Sequence, residues 1–330
     1  MTGDFEQVHP ELKRSAKLIP RAAFSTRSLP LWRMADHFLW KRPPPQGVAI
    51  ETIAIPSAVS QREIRVRLYR PAAPARGGTV PAGQASQDGP GLLWFHGGGY
   101  VTGRPEQDDG CCSQYAREAG VVVASVAYRL APEHPFPAAL EDGYAALAWM
   151  ASGYAGIGVD PARLAVGGES AGGGLAAALA QLALDRAEVD LRFQLLTYPM
   201  LDDRTCHRTD IPDHPAATWS RASNRYAWES YLGAPGGGPD VAAPEHPAYA
   251  APARRADLAG LPPAWIGVGT LDLFHDEDVL YARRLEAAGV ACELVVVPGA
   301  YHAFDLTAPG APVVRDFRAS QTAALQHHLA

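Results

Sequence analysis

Residues 166–174 read VGGESAGGG: one hydroxyl, that of Ser170, flanked by glycines and entered directly from the apolar run at 164–166. A strand that turns at once into a helix passes through strained backbone, and any Cβ beside the bend collides with strand or helix. Glycine at 168 and 172 removes those collisions. The spacing G-x-S-x-G in such a setting holds a serine hydroxyl clear of the sheet's carboxyl end, at a helix N-terminus, where it can attack an acyl carbon. The same residues also suit a glycine-rich turn in which Ser170 only caps the helix that follows from Leu175. Three further features separate the two readings.

The first is His96 with Gly97, Gly98 and Gly99, immediately after the apolar run at 92–95. Acyl transfer puts negative charge on the former carbonyl oxygen, and a donor aimed at it in a dry site lowers the barrier by about 3 to 4 kcal/mol. Backbone N–H groups serve if the chain can approach closely, which glycine at 98 and 99 allows; the N–H of Ala171 would add a third donor from the far side. His96 is read as a side chain that ties this loop down rather than as a base. The second feature is a base: His302 follows the apolar run at 293–297 in VVVPGAYHAF, on a loop short enough to reach back to Ser170. The third is an acid, expected between nucleophile and base in chain order. Asp272, just past the run AWIGVG, is preferred, and Asp202 and Asp203, after an earlier strand, are its rivals. Asp276, Glu277 and Asp278 are assigned to the start of the next helix, where carboxylates offset the dipole.

These groups need a scaffold to bring them together. Short apolar runs at 92–95, 121–126, 164–166, 193–198, 265–268 and 293–297 alternate with helical patterns, which describes a mostly parallel sheet wrapped by crossover helices. Before them, residues 48–55 and 63–70 read as a hairpin, and 71–91 as a surface loop rich in Gly, Pro and Ser. The stretch 31–40 repeats its apolar residues at helical spacing until Pro43, Pro44 and Pro45 stop it. Such a helix could lie on a membrane surface, but its polar face carries few cations, which favours a packed or lid-forming helix. Between 201 and 262 the rhythm breaks into an insertion that carries helices, Trp219, Tyr226, Trp228 and Tyr231.

Bulk composition bounds the rest. With 330 residues, 47% of them hydrophobic and 19% charged, the chain can bury a large core. A net charge of -6 with acids and bases interspersed argues against nucleic acid as a partner. Cys111, Cys112, Cys206 and Cys292 show no C-x-x-C spacing, so a reducing, cytoplasmic setting is expected. The first thirty residues mix charges and prolines and contain neither a signal-peptide core nor a membrane span, so no stable membrane insertion is expected. Cys206, His207, Asp210, Asp213 and His214 include metal-ligand types without the spacing of a tetrahedral site, and no metal is expected there. Arg129, Glu133 and Asp142, in the proline-rich stretch YRLAPEHPFPAALED, are expected to brace a rigid loop through ion pairs.

Taken together, HGGGYVTG (96–103), YRLAPEHPFPAALED (128–142), GGESAGGG (167–174), TLDLFHDED (270–278) and PGAYHAF (298–304) resemble the bacterial hormone-sensitive-lipase-like branch of the α/β-hydrolases, over about residues 92–304. The resemblance implies an α/β-hydrolase fold, a mostly parallel eight-stranded sheet flanked by helices and topped by a helical cap. It implies a carboxylesterase acting on small-molecule esters without a cofactor. Ser170 is the implied nucleophile, His302 the base and then acid, Asp272 its orienter, and the N–H groups of Gly98, Gly99 and Ala171 the oxyanion hole. The cap maps onto residues 1–48 and 203–240, and the catalytic domain onto 49–202 and 241–330. Homodimers joined through the last strand and helix are common among relatives. Trp32, Phe38, Trp219 and Tyr100 are expected to touch substrate, and with Trp40, Trp228 and Tyr231 the aromatics of the cap suit the lining of an apolar pocket and the core of the cap equally. Glu169, Ala127 and Leu273 depart from the branch's commonest residues, and none of the three removes a catalytic group. A ligand-binding protein on this fold, as the plant gibberellin receptors illustrate, lacks the histidine that His302 supplies here.

Overall fold

The computed structural model of the chain describes residues 5–19, 23–40, 46–57, 62–71, 88–153, 157–211, 214, 216, 218–233 and 247–330. Eight strands form one sheet: β1 (Val48–Pro56), β2 (Glu63–Pro71), β3 (Gly89–Phe95), β4 (Val122–Val126), β5 (Val159–Glu169), β6 (Phe193–Thr197), β7 (Ala264–Gly269) and β8 (Cys292–Val297). Their spatial order is β1-β2-β4-β3-β5-β6-β7-β8. β2 pairs antiparallel with both β1 and β4, and every other pairing is parallel. The central strands are buried on both faces, which is why β4, β6 and β7 are near-continuous apolar runs rather than alternating ones. Each strand expected from those runs is present, and β5 begins five residues before its apolar core.

Helices α1 (Leu29–Leu39), α2 (Ala138–Ala151), α3 (Ala171–Arg186), α4 (Arg221–Tyr231), α5 (His275–Ala287) and α6 (Pro312–His328) surround the sheet. Side chains alternate across each strand and so feed two cores. Leu93 and Phe95 join Leu140, Leu147, Leu179 and Leu285 under α2, α3 and α5. Leu92 and Trp94 point the other way, to Tyr115 and to Phe317 and Leu325 of α6, a core that also takes in Val8 and Leu12 near the N-terminus. Because β3, β5, β7 and β8 run parallel, the turns that follow them all emerge at one edge of the sheet. Residues 96–103, 170, 272 and 302 are thereby gathered from a span of more than two hundred positions.

The described parts of 5–40 and 203–233 meet at that edge. Phe24 stacks on Trp32 at 5.0 Å and meets Trp219 at 5.4 Å, while its N–H donates to Ser223 Oγ at the start of α4. The stretch 31–40 is a helix as predicted, yet Leu31, Met34, Phe38 and Leu39 are exposed, and it is Leu29, Arg33 and Asp36 that face the protein. Most of the loop expected at 71–91, the prolines at 43–45 and the end of the insertion at 234–240 lie outside the described residues.

Candidate active site

Ser170 sits between the end of β5 and the first residue of α3 with φ 54° and ψ −121°, a conformation that a side-chain-bearing residue adopts only under constraint. Its backbone is pinned on both sides: the Ser170 N–H donates to Thr197 O, and Ser170 O accepts from Gly174 N–H and Met200 N–H. Gly168 and Gly172 do what their positions suggested. A Cβ on Gly172 would lie 2.0 Å from Phe95 O, and one on Gly168 would lie 2.3 Å from Gly172 O. The bare backbone therefore lets the start of α3 press against the residues that lead into the His96 turn.

His302 completes the contact. Its Nε2 lies 2.8 Å from Ser170 Oγ and its Nδ1 lies 2.8 Å from Asp272 Oδ2. A carboxylate accepts, so Nδ1 carries the proton and Nε2 presents its lone pair to the hydroxyl. Asp272 Oδ1 accepts from Phe274 N–H, and the loops after β7 and β8 are stitched by Thr270 N–H to Val297 O and Leu271 N–H to Ala300 O. The imidazole is boxed edge-on by Tyr198 and Phe274, with ring centroids at 4.8 and 5.1 Å. The rival acids are engaged elsewhere, Asp202 with Arg204 and Asp203 with Arg254.

Across from Ser170, Gly98 and Gly99 adopt φ of 118° and 60°, backbone open to glycine, and a Cβ on Gly98 would lie 2.2 Å from Thr102 O. Among the described residues no acceptor takes the N–H of Gly98, Gly99 or Ala171, so three donors stand unused at this edge. His96 ties the turn down as expected: its Nδ1 donates to Gly97 O at 2.8 Å and its ring stacks on Tyr128, whose hydroxyl donates to His96 O. Burial holds its pKa down at about 4, so it stays neutral.

Behind Ser170 lies a buried acidic cluster that sequence reasoning missed. Burial, with the Asp305 charge, pushes the Glu169 carboxyl above its ordinary pKa, and burial with the Glu169 charge does the same to Asp108. Asp108 Oδ2 accepts from Trp94 Nε1, and its Oδ1 has no partner among the described residues, so the neighbouring Glu169 charge disfavours ionising both carboxyls. Tyr198 hydroxyl lies 2.6 Å from Asp305 and 3.2 Å from Glu169. Farther off, Asp276, Glu277 and Asp278 lie in the first turn of α5 as expected, but two of them also face inward. Glu277 turns inward and accepts from the N–H groups of Leu201 and Asp202, which fixes the loop after β6. Asp278 is fully buried, and neither carboxyl oxygen has a partner among the described residues.

The expected substrate contacts fall in different places. Trp219 is buried over the glycine turn at 97–99, where a Cβ on Gly99 would lie 2.3 Å from its ring, and its centroid is 6.4 Å from that of His302. Trp32 lies one ring farther out, behind Phe24. Tyr100 is fully buried, stacked on Tyr231 at 3.9 Å and tilted against Trp228, so its ring supports the turn from beneath. Phe38 is on the outer side of α1. The Tyr100 hydroxyl reaches the first turn of α3, where a Cβ on Gly174 would lie 2.5 Å from it, whereas Phe38 is turned away from the serine. What is brought there, unforeseen, is a polar latch from α1. Arg33 donates to Val101 O, Ala131 O and both oxygens of Glu133, and Asp36 accepts from Thr102 Oγ1 and Gly103 N–H. Glu133 therefore pairs with Arg33, while Arg129 pairs with Asp142 and Glu141. Only a signal linking residues a hundred positions apart could have revealed the first pair. Among the described residues no three His, Cys, Asp or Glu side chains gather as a metal site requires, and the four cysteines are free thiols.

Residues 92–306 match a protein family described as alpha/beta hydrolase fold. Esterase LipI of Mycobacterium tuberculosis is 42% identical over 212 residues, which are 63% of this chain and 63% of that protein, less than two thirds of its length. Ethyl acetate hydrolase of Pseudomonas putida is 36% identical over 241 residues, 72% of this chain and 70% of that one. Among solved structures, a bacterial heroin esterase superposes with a TM-score of 0.87 at 34% identity, over 99% of both chains.

Proposed function

The chain belongs to the α/β-hydrolase family, in its branch of bacterial esterases related to hormone-sensitive lipase, and from that premise we propose that it hydrolyses short-to-medium-chain acyl esters through Ser170, His302 and Asp272. The observation that carries this reading is the unbroken relay from Ser170 Oγ through His302 to Asp272, opposite three backbone N–H groups with no acceptor among the described residues. In the first step Ser170 Oγ attacks the ester carbonyl while its proton passes to His302 Nε2. The oxyanion accepts from Gly98, Gly99 and Ala171, backbone donors whose positions are set by the folded turns, so the developing charge requires little reorganisation. Collapse expels the alcohol, which takes the proton from His302, and leaves the acyl group on Ser170. Water, deprotonated by the same nitrogen, then releases the acid. Asp272 keeps the proton on Nδ1 throughout and offsets the imidazolium charge.

The preference for short chains is supported by Trp219, which lies across the oxyanion turn, and by the relative whose name assigns it ethyl acetate. Residues 1–48 and 203–240 serve in this proposal as the cap over the site, with Trp219, Phe24 and Trp32 as its apolar wall. A homodimer through β8 is part of the same reading: β8 is an edge strand with half-buried Leu294, Val295 and Val296. So is a cytoplasmic setting, which four free thiols suit.

Incubation with a fluorophosphonate probe, followed by turnover of p-nitrophenyl esters of increasing chain length, tests the proposal. Covalent labelling at Ser170, lost in Ser170→Ala, and a rate that falls beyond medium chains are expected. Absence of both labelling and turnover would favour a ligand-binding role for the same fold.

A further inference from the structure

Helix α1 is amphipathic with its faces reversed. Four of its hydrophobic side chains point to solvent, Leu31, Met34, Phe38 and Leu39 at 63%, 56%, 64% and 60% exposure, and they share one side of the helix by their spacing. The opposite side is taken by the latch: Arg33 reaches Val101 O, Ala131 O and Glu133, and Asp36 reaches Thr102 and Gly103. Turning the apolar side inward would break all of these bonds, so the exposure is built into the way the helix is attached. Leu18, just after the short helix Lys13–Ala16, is 82% exposed as well.

The surrounding charge says what this face would meet. Although the chain carries a net charge of -6, residues 13–42 hold eight Lys and Arg against one acid, Asp36, which the latch already uses. Arg14, Lys17 and Arg27 are exposed and have no acidic partner among the described residues. The cations thus lie mainly before and after α1, not on its polar face. We propose that the outward face of α1, with the basic segment around it, docks on an anionic lipid surface. Apolar side chains inserting at the headgroup level while Lys and Arg meet anionic headgroups is the chemistry of a peripheral helix lying in the interface. A second copy of the chain fits less well, because a twofold contact would set this basic segment against itself. Among the described residues no helix is long and apolar enough to cross a membrane, so the contact is peripheral.

The test uses the full chain and lipid vesicles, and it reads binding, so it stands apart from whether any ester is turned over. Co-sedimentation with phosphatidylcholine vesicles containing phosphatidylglycerol is expected, with little on pure phosphatidylcholine and a steep loss as salt is raised. Leu31→Glu with Met34→Glu should lower the bound fraction at least about 10-fold at unchanged circular dichroism, since each replaces apolar insertion with like charge. Arg14→Glu with Lys17→Glu, both surface positions outside the helix, should lower it comparably and serves if the first variant does not fold. Equal binding by wild type and both variants, or no binding to anionic vesicles, overturns the proposal. So does a Leu31→Glu, Met34→Glu chain that changes oligomeric state in vesicle-free buffer while keeping its vesicle partition, because the face would then belong to a second copy.

Discussion

The turn that carries Ser170 and the helix that lies over the neighbouring glycine turn are in contact with the same stretch of chain, 95–103, yet they are held by opposite means. Around Ser170 the constraint is backbone against backbone: no side chain could be added at 168 or 172 without meeting carbonyl oxygens at 2.3 Å or less. Helix α1 is attached by two side chains, Arg33 and Asp36, and leaves its apolar side in solvent. Backbone packing gives a position that cannot adapt, which suits a nucleophile whose geometry must hold to a fraction of an ångström. A polar latch under an open apolar face gives a part whose outward side can be altered with the chemistry left in place.

That contrast can be broken most sharply at the acid. Asp272→Asn is expected to lower kcat by about 10³- to 10⁴-fold by favouring the wrong imidazole tautomer, whereas Asp202→Asn, which loses Arg204 and a turn cap, should leave kcat nearly unchanged and lower Tm. Steady-state kinetics and thermal unfolding of the two variants decide, and the reverse result would move the acid to Asp202. Next in size is Gly172→Ala, whose Cβ would fall 2.0 Å from Phe95 O; a loss of about 4 kcal/mol or failure to fold is expected. Gly310→Ala, where nothing lies within 4 Å, is the control and should be within about 0.5 kcal/mol of wild type by denaturant unfolding.

The rigid side should also carry its own pH dependence. His96 has a folded pKa of about 4, below its unfolded value, so the unfolded chain binds the extra proton as pH falls from about 6.5 and the fold loses about 3 kcal/mol by pH 4. Asp278 works with the opposite sign: burial and the charges of Glu277 and Asp272 raise its pKa, so its contribution is present at low pH and is lost as pH rises through the folded value. His96→Asn should flatten the Tm profile between pH 6.5 and 4, and Asp278→Asn should raise Tm at pH 8 more than at pH 5. Smallest is the latch. Arg33→Met should reduce kcat/KM about 10-fold by loosening the carbonyls of Val101 and Ala131, with Tm nearly unchanged. A large drop in Tm instead would show that α1 belongs to the rigid part after all.

Much of the molecule was legible before any coordinates. The eight strands follow from apolar runs bounded by turn residues, and the strained elbow at Ser170 follows from glycines spaced around one hydroxyl, because both are local properties that the chain writes in neighbouring positions. Chain order and the ends of strands were enough to choose His302 from eleven histidines. Tertiary structure alone decided which way things face. Periodicity gives the phase of side chains around a helix and not the side that is docked, so α1 was readable as amphipathic and packed while the side by which it packs was not. Tyr100 and Glu277 were turned inward by partners distant in sequence, Tyr231 and Leu201, and Glu133 was claimed by Arg33. Such pairings depend on which loops the sheet order sets side by side, information held by the whole chain and by no single stretch of it.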